Sequence, residues 1–423
     1  MVNIEGRNGH DNGDQPPEDA LKKALMQYAV EKLTLAQRCK RLQVEYNYHI
    51  SESTLKRLNR KYNIPSARKP PPQPLSESLI REEMDKDLQH RNGPNAIGQL
   101  LAVKGFIIPR STIRVIMRLE DPLGPQIRAP GNKVPINRSP LQSMGPFAEV
   151  SCDGHEKLSS MALGIGPVGI PIYGMRDKFS GRMLHLVVVP NARLSVTIGH
   201  VYLDFVENYG AIPFQITVDK GSETGDMLTM QITLRKLLLD HDVEKWPPVV
   251  ALRSVHNIRI EKAWSLFLQN RGFNIQQTLR EAGPGQGIYN VNNPIHQNLF
   301  LWLWPPIVQV ELDGFVEYWN THRIRTQPNS LLPSGCTPNH AYQCPEEWEG
   351  QKMHTPVPLE LIQQLRETLP LTRAEAFRWV DDNFAVLAEH VYAEIGRPLR
   401  SIQTGWLVFQ RMSPLIQNYV NNA

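Results

Sequence analysis

Between residues 146 and 275, short β-branched runs and helical periods alternate in an order that few folds accommodate. Residues 147–152 (FAEVSC) alternate apolar with polar. The runs 170–175 and 183–189 are apolar and flank Asp177-Lys178-Phe179-Ser180-Gly181, a hairpin turn signal. Residues 195–209 then place Val196, Ile198, Val201, Phe205 and Val206 at helical spacing, and 214–218 form a short apolar strand ending at Asp219. A helix over 226–239, a strand over 249–252 and a helix over 257–269 complete the order β-β-β-α-β-α-β-α. This order predicts an α/β fold with a mixed five-stranded sheet and helices on both faces.

Ahead of this region the chain repeats itself. A displacement of 58 residues lays residues 50–60 (ISESTLKRLNR) on residues 108–118 (IPRSTIRVIMR) without a gap, with Leu42 on Leu100, Asn47 on Gly105 and Tyr48 on Phe106. Asn and Gly tolerate a left-handed backbone best, so each unit reads as helix, tight turn, second helix. Arg110, Arg114 and Arg118 line one face of the second unit's last helix, opposite Ile113, Ile116 and Met117. Lys56, Arg57, Arg60 and Lys61 do the same beside Leu55 and Leu58. A basic outer face suits a helix entering the major groove of double-stranded DNA, and it equally describes a solvated helix in a bundle. The duplication and the local charge favour DNA. Residues 1–140 hold 23 Lys and Arg against 15 Asp and Glu, while the whole chain has a net charge of only +4.

Composition excludes several alternatives. Four scattered cysteines with no C-x-x-C pair do not make a disulfide framework, and point to a reducing compartment. The N-terminus lacks the basic flank and apolar stretch of a secretory signal. The least polar runs, 159–175 and 298–310, are short or broken by Gly and Pro, so no membrane partner is expected. With 34 prolines in 423 residues, extended linkers are expected, most clearly at residues 65–75.

The chemistry is expected from carboxylates at strand ends, where α/β sheets gather their ligands. Asp153 falls just past the first strand, Asp219 at the end of the fourth, and Glu261 in the first turn of the last helix, which Asn257 is placed to cap. Ile260, Trp264 and Phe267 mark that helix's buried face, with Glu261 at its edge. Three carboxylates from three elements suit Mg²⁺ (or Mn²⁺), and two ions could serve an in-line displacement at phosphorus. Glu223 competes as third acid but shares a connection with Asp219, and Asp177 is expected to make the hairpin turn. His155 and His256 are expected to orient neighbours.

Three segments carry a resemblance: Cys152-Asp153-Gly154-His155-Glu156-Lys157-Leu158, residues 217–225 (TVDKGSETG) and residues 254–264 (SVHNIRIEKAW). In order and placement they resemble the catalytic blocks of the integrase core of DDE transposases and retroviral-type integrases, with its RNase H-like fold. Residues 311–325 and Pro333-Ser334-Gly335 resemble the segment that follows this core in cellular, notably fungal, members. The interval of 42 positions from Asp219 to Glu261 is somewhat longer than in retroviral members and implies an insertion before the last helix. The His-His-Cys-Cys zinc unit of retroviral integrases has no counterpart here, and the tandem helix-turn-helix stands in its place.

The resemblance implies a metal-dependent polynucleotidyl transferase with Asp153, Asp219 and Glu261 as catalytic and metal-binding triad, Asp153 bridging two ions. Its DNA partners would be element ends and target, met by a homo-oligomer in the nucleus, with no small-molecule cofactor. The rival readings are a domesticated DNA-binding protein that no longer cuts, and a nuclease of the same fold without strand transfer.

The expected organisation is a disordered tail at 1–19, helix-turn-helix units at 20–64 and 76–121 joined by the linker 65–75, and a second linker at 122–145. The core follows at 146–275, then a core-associated helical extension at 276–345. Residues 346–423 form a mainly helical C-terminal region of no assigned role.

Overall fold

The computed structural model describes residues 12–13, 15–128, 141–219, 221–239, 245–252 and 257–422. Most of the expected tail, half of the linker 122–145, and residues 220 and 254–256 of the two motif blocks, His256 among them, lie outside the described residues. The chain divides into two compact units, residues 1–142 with 318–351, and residues 143–317 with 352–423.

The first unit holds the repeat. Helices α1 (Glu18–Val30), α2 (Leu35–Tyr46) and α3 (Glu52–Lys61) are followed by α4 (Gln73–Asp85), α5 (Pro94–Val103) and α6 (Arg110–Glu120). A displacement of 58 takes α2 and α3 to within a residue of α5 and α6. Thr34 starts α2 through a capping box with Gln37, and Ser51 caps α3 by accepting from the Thr54 amide. The turns fall where expected: Asn47 has φ +53° and Gly105 φ +88°. Each trio closes on its own core, with Leu21, Leu25, Tyr28, Leu42 and Leu55 in the first and Ile80, Ile97, Leu101, Ile113 and Met117 in the second. Leu55 and Ile113 are equivalent and both buried. Leu101, not the Leu100 that aligns with Leu42, takes the buried place on α5.

Residues 318–351, read from sequence as part of a core-associated extension, cluster with these helices. The cause is a buried charge. Glu31 at the end of α1 is 2% exposed and accepts from Arg41 Nη1 at 3.1 Å, from Thr337 Oγ1 at 3.0 Å and from Asn339 Nδ2 at 3.3 Å. A buried carboxylate needs such partners, and two of them come from this distant segment.

In the second unit, strands β1 (Glu149–His155), β2 (Ile172–Asp177), β3 (Met183–Val188), β4 (Gln215–Asp219) and β5 (Val249–Leu252) form one sheet in the order β3-β2-β1-β4-β5. The first three run antiparallel, and β1, β4 and β5 are parallel. This is the mixed five-stranded α/β sheet expected from the element order. Helices α7 (Ser195–Tyr209), α8 (Gly225–Leu238) and α9 (Ile258–Phe267) follow β3, β4 and β5. Asp177 makes the hairpin turn and anchors its base: its carboxylate accepts from the Ser180 amide and hydroxyl and from the Phe147 amide, at 2.7, 2.6 and 2.9 Å.

The apolar run at 298–310 is part of a single helix, α10 (Pro294–Thr321), which runs through Pro305 and Pro306. Burial of Leu299, Phe300, Leu303, Trp304, Ile307 and Val308 offsets the roughly 3 kcal/mol an interior proline costs. By length and composition alone α10 could cross a membrane, but half of its most apolar window is buried in the protein. Helices α11 (Leu359–Glu367), α12 (Asp382–Glu394) and α13 (Gly405–Asn421) make up half of the C-terminal region. Trp406 of α13 packs on Trp304 with ring centroids 5.0 Å apart.

Candidate functional site

The parallel pairing of β1 and β4 sets the site. Glu149 lies opposite Gln215, Val150 opposite Ile216 and Ser151 opposite Thr217, after which the pairing ends. Carried two residues further, the same register puts Asp153 level with Asp219, and residues at one level of parallel strands face the same side. The sequence reading puts Asp153 just past the first strand, but the residue lies inside β1. On its other side β1 stays paired to β2 as far as His155–Ile172, so the strand outruns its β4 neighbour. Asp219 ends β4 opposite Leu252.

Asn257 supplies a link that its sequence position does not suggest. It stands at the N-cap position of α9, but its side chain caps nothing in the helix. Its Nδ2 donates to the Cys152 carbonyl at 3.1 Å and to Asp219 Oδ1 at 3.4 Å. This buried amide therefore ties the end of β1 to the end of β4 at the start of α9. The Glu261 amide donates to the Asn257 carbonyl at 3.2 Å, which starts the helix and sets Glu261 in its first, exposed turn.

One turn on, Trp264 comes down onto the sheet. Its Nε1 donates to Asp153 Oδ2 at 2.8 Å, and its ring passes over Gly174, the β2 residue paired with Asp153. A Cβ at Gly174 would stand 2.6 Å from the indole, so only glycine admits this approach. The imidazole of His155 stacks on the same indole, centroids 4.7 Å apart. Burial lowers the His155 pKa to about 4, so the ring is neutral at ordinary pH and packs without adding charge. Sequence patterns mark Asn257 only as a cap and Trp264 only as a core residue. The spacing Glu261-x-x-Trp264 on one helix is the signal that could have marked the second as functional.

Burial is the first cause that raises the Asp153 pKa, to about 7, and the charges of Asp219 and Glu261 add to it against the Trp264 hydrogen bond. The Glu223 carboxylate folds back over its own connection, 2.0 Å from where a Gly221 Cβ would be, and its charge acts on Tyr173 together with those of Asp153 and Asp219. The donor set fits a hard divalent cation: all ligands are oxygens, and Trp264 engages one oxygen of Asp153, leaving lone pairs on the other. The carboxylates are spread rather than close-set. Among the described residues, the group whose ligand atoms all lie within 4.8 Å of one another is elsewhere, at His340, Cys344 and Glu347.

The basic residues expected to meet DNA lie in the first unit. Lys56, Arg57, Arg60, Arg110, Arg114 and Arg118 are exposed on α3 and α6, opposite buried Leu55, Ile113, Ile116 and Met117. Lys61 is also exposed but pairs with Glu18 at 3.0 Å, and Arg110 Nε donates to Asn95 Oδ1 at 2.6 Å.

Comparison with known proteins fits this arrangement. No curated protein matches the chain. A protein-family model, the integrase core domain, matches residues 151–342, a stretch that contains Asp153, Asp219 and Glu261. With the β3-β2-β1-β4-β5 sheet and helices on its faces, this region has an RNase H-like fold of the polynucleotidyl transferase type, and residues 151–342 are similar to the integrase core domain family.

Proposed function

We propose that the protein is a DDE-type DNA recombinase, in which Asp153, Asp219 and Glu261 hold the divalent cations of a polynucleotidyl transferase. The observation that carries this reading is the level placement of Asp153 and Asp219 on neighbouring parallel strands, with Glu261 close enough to act on Asp153. Bound there, Mg²⁺ or Mn²⁺, as a pair of ions, would activate an attacking oxygen and stabilise a leaving one.

The chain's own residues supply position. Trp264 holds the Asp153 carboxylate by one oxygen and covers the sheet behind it. Asn257 fixes Asp219 against the end of β1. The neutral His155 ring stacks on Trp264 and supports the indole that holds Asp153. Acting on DNA, this centre would hydrolyse one phosphodiester to leave a 3′-hydroxyl, and direct that hydroxyl at a phosphorus of target DNA.

The helical repeat is the proposed DNA grip, with α3 and α6 as the groove-facing helices. Two ends must be joined in one event, so the working form is a homo-oligomer on DNA, in the nucleus. A joining assay tests the reading, using a labelled duplex with a free 3′-hydroxyl, a plasmid target and Mg²⁺ or Mn²⁺. Label transferred to the plasmid supports a recombinase. Cleavage without transfer indicates a nuclease, and binding without either indicates a retired DNA-binding protein.

A further inference from the structure

We propose that His340, Cys344 and Glu347, in the first unit, form a second metal site, one suited to zinc. It owes nothing to the carboxylates of the core domain and stands or falls separately from the recombinase reading.

The local fold builds the group. Thr337, held by the buried Glu31, caps the short helix Pro338–Gln343 by accepting from the His340 amide at 3.1 Å. His340 and Cys344 are one helical turn apart, and the Cys344 amide donates to the His340 carbonyl at 2.9 Å. The chain then makes a 3-10 turn over Pro345–Trp348, with the Glu347 amide on the Cys344 carbonyl at 3.3 Å. This turn brings the Glu347 carboxylate back to His340 Nε2 at 3.1 Å. One imidazole nitrogen, one sulfur and one carboxylate oxygen thus all lie within 4.8 Å of one another.

Burial makes the grouping unusual. His340 and Cys344 are both 0% exposed, and Glu347 sits at the rim. His340 Nδ1 has no hydrogen-bond partner among the described residues, so Glu347 is the only group among them that satisfies the ring. Protein partners leave a buried, polar and nucleophilic pair underused, which an ion would correct. Nitrogen, thiolate and carboxylate together are borderline-soft donors, which select zinc over Mg²⁺ or Ca²⁺. Such an ion would lock the 318–351 segment, which carries the partners of Glu31.

Cobalt(II) titration of the full-length protein tests this, because Co²⁺ bound to a thiolate shows a charge-transfer band that all-oxygen sites lack. We expect one equivalent of Co²⁺ to raise the band, zinc to displace it, and Asp153→Asn to leave it unchanged. Cys344→Ala should abolish it. Should Cys344→Ala fail to fold, as judged by circular dichroism, Glu347→Gln decides, since that side chain is at the surface: affinity should fall at least about tenfold. No band in the wild type, or a band of undiminished strength and affinity in either variant, overturns the proposal.

Discussion

Trp264 on α9 donates its indole N–H to the Asp153 carboxylate on β1, 2.8 Å away and 111 residues back in the chain. The bond joins the third acid's helix to the first acid's strand. Trp264→Phe keeps most of the packing and removes the donor. We expect folding to weaken by about 1–2 kcal/mol, and metal-dependent DNA cutting to fall much further than stability does. Cleavage at the wild-type rate by a folded Trp264→Phe protein would show that the bond does not position Asp153.

Asp153 carries a cost that function explains. Its pKa is about 7 in the folded protein against an ordinary 3.8, mainly through burial. Between those values the folded state keeps a proton that the unfolded chain releases. Metal-free stability therefore falls as pH rises from about 4 to about 7. Asp153→Asn removes the charge, and in EDTA at pH 8 it should melt above the wild type while cutting no DNA. Added Mg²⁺ should raise the melting temperature of the wild type but not of the variant. A lower melting temperature for Asp153→Asn in EDTA would contradict this electrostatic account.

Gly174 is predicted to be irreplaceable for a steric reason. An alanine Cβ would stand 2.6 Å from the Trp264 ring, so the indole must move and its bond to Asp153 must lengthen. Overpacking of this kind costs about 1–3 kcal/mol. Denaturant unfolding of Gly174→Ala should show that loss, and a stability equal to wild type would mean the indole is free to shift.

The basic faces make a prediction about salt. Arg114 and Arg118 are exposed, with no ion pair among the described residues, so alanine there should leave the melting temperature nearly unchanged. Removing one side chain that neutralises a phosphate should lower the slope of log affinity against log salt by about 0.9. Lys61, already paired with Glu18, should matter less. An unchanged slope in the Arg114→Ala, Arg118→Ala double variant would remove α6 from the DNA surface.

Much of this is legible in the sequence because it is local. The strand and helix periods mark the sheet's elements in order, and the 58-residue displacement places Asn47 and Gly105 in their left-handed turns. Local patterns cannot show the far end of an interaction. Asn257 reads as a helix cap, yet its amide spans two strands that begin far earlier in the chain. Asp153 reads as lying past its strand, because only pairing with β2 extends β1 to His155. Residues 318–351 read as a continuation of the core, since nothing nearby in sequence reveals that Glu31 needs Thr337 and Asn339. His340, Cys344 and Glu347 escape notice because a helical turn and a 3-10 turn bring them together without a familiar spacing.

Asp153, Asp219 and Glu261 are proposed to form one metal-dependent DNA-cutting centre. Nicking of supercoiled plasmid by purified protein, with Mg²⁺ or Mn²⁺, tests it most directly beside Asp219→Asn and Glu261→Gln. Both variants keep size and shape while removing a charged ligand, and thermal melting verifies that they fold. We predict that the wild type nicks the plasmid, that EDTA stops it, and that neither folded variant reaches a hundredth of the wild-type rate, a loss of about 3 kcal/mol in transition-state stabilisation. Nicking by either variant at the wild-type rate would show that the substituted carboxylate is not part of the cutting centre.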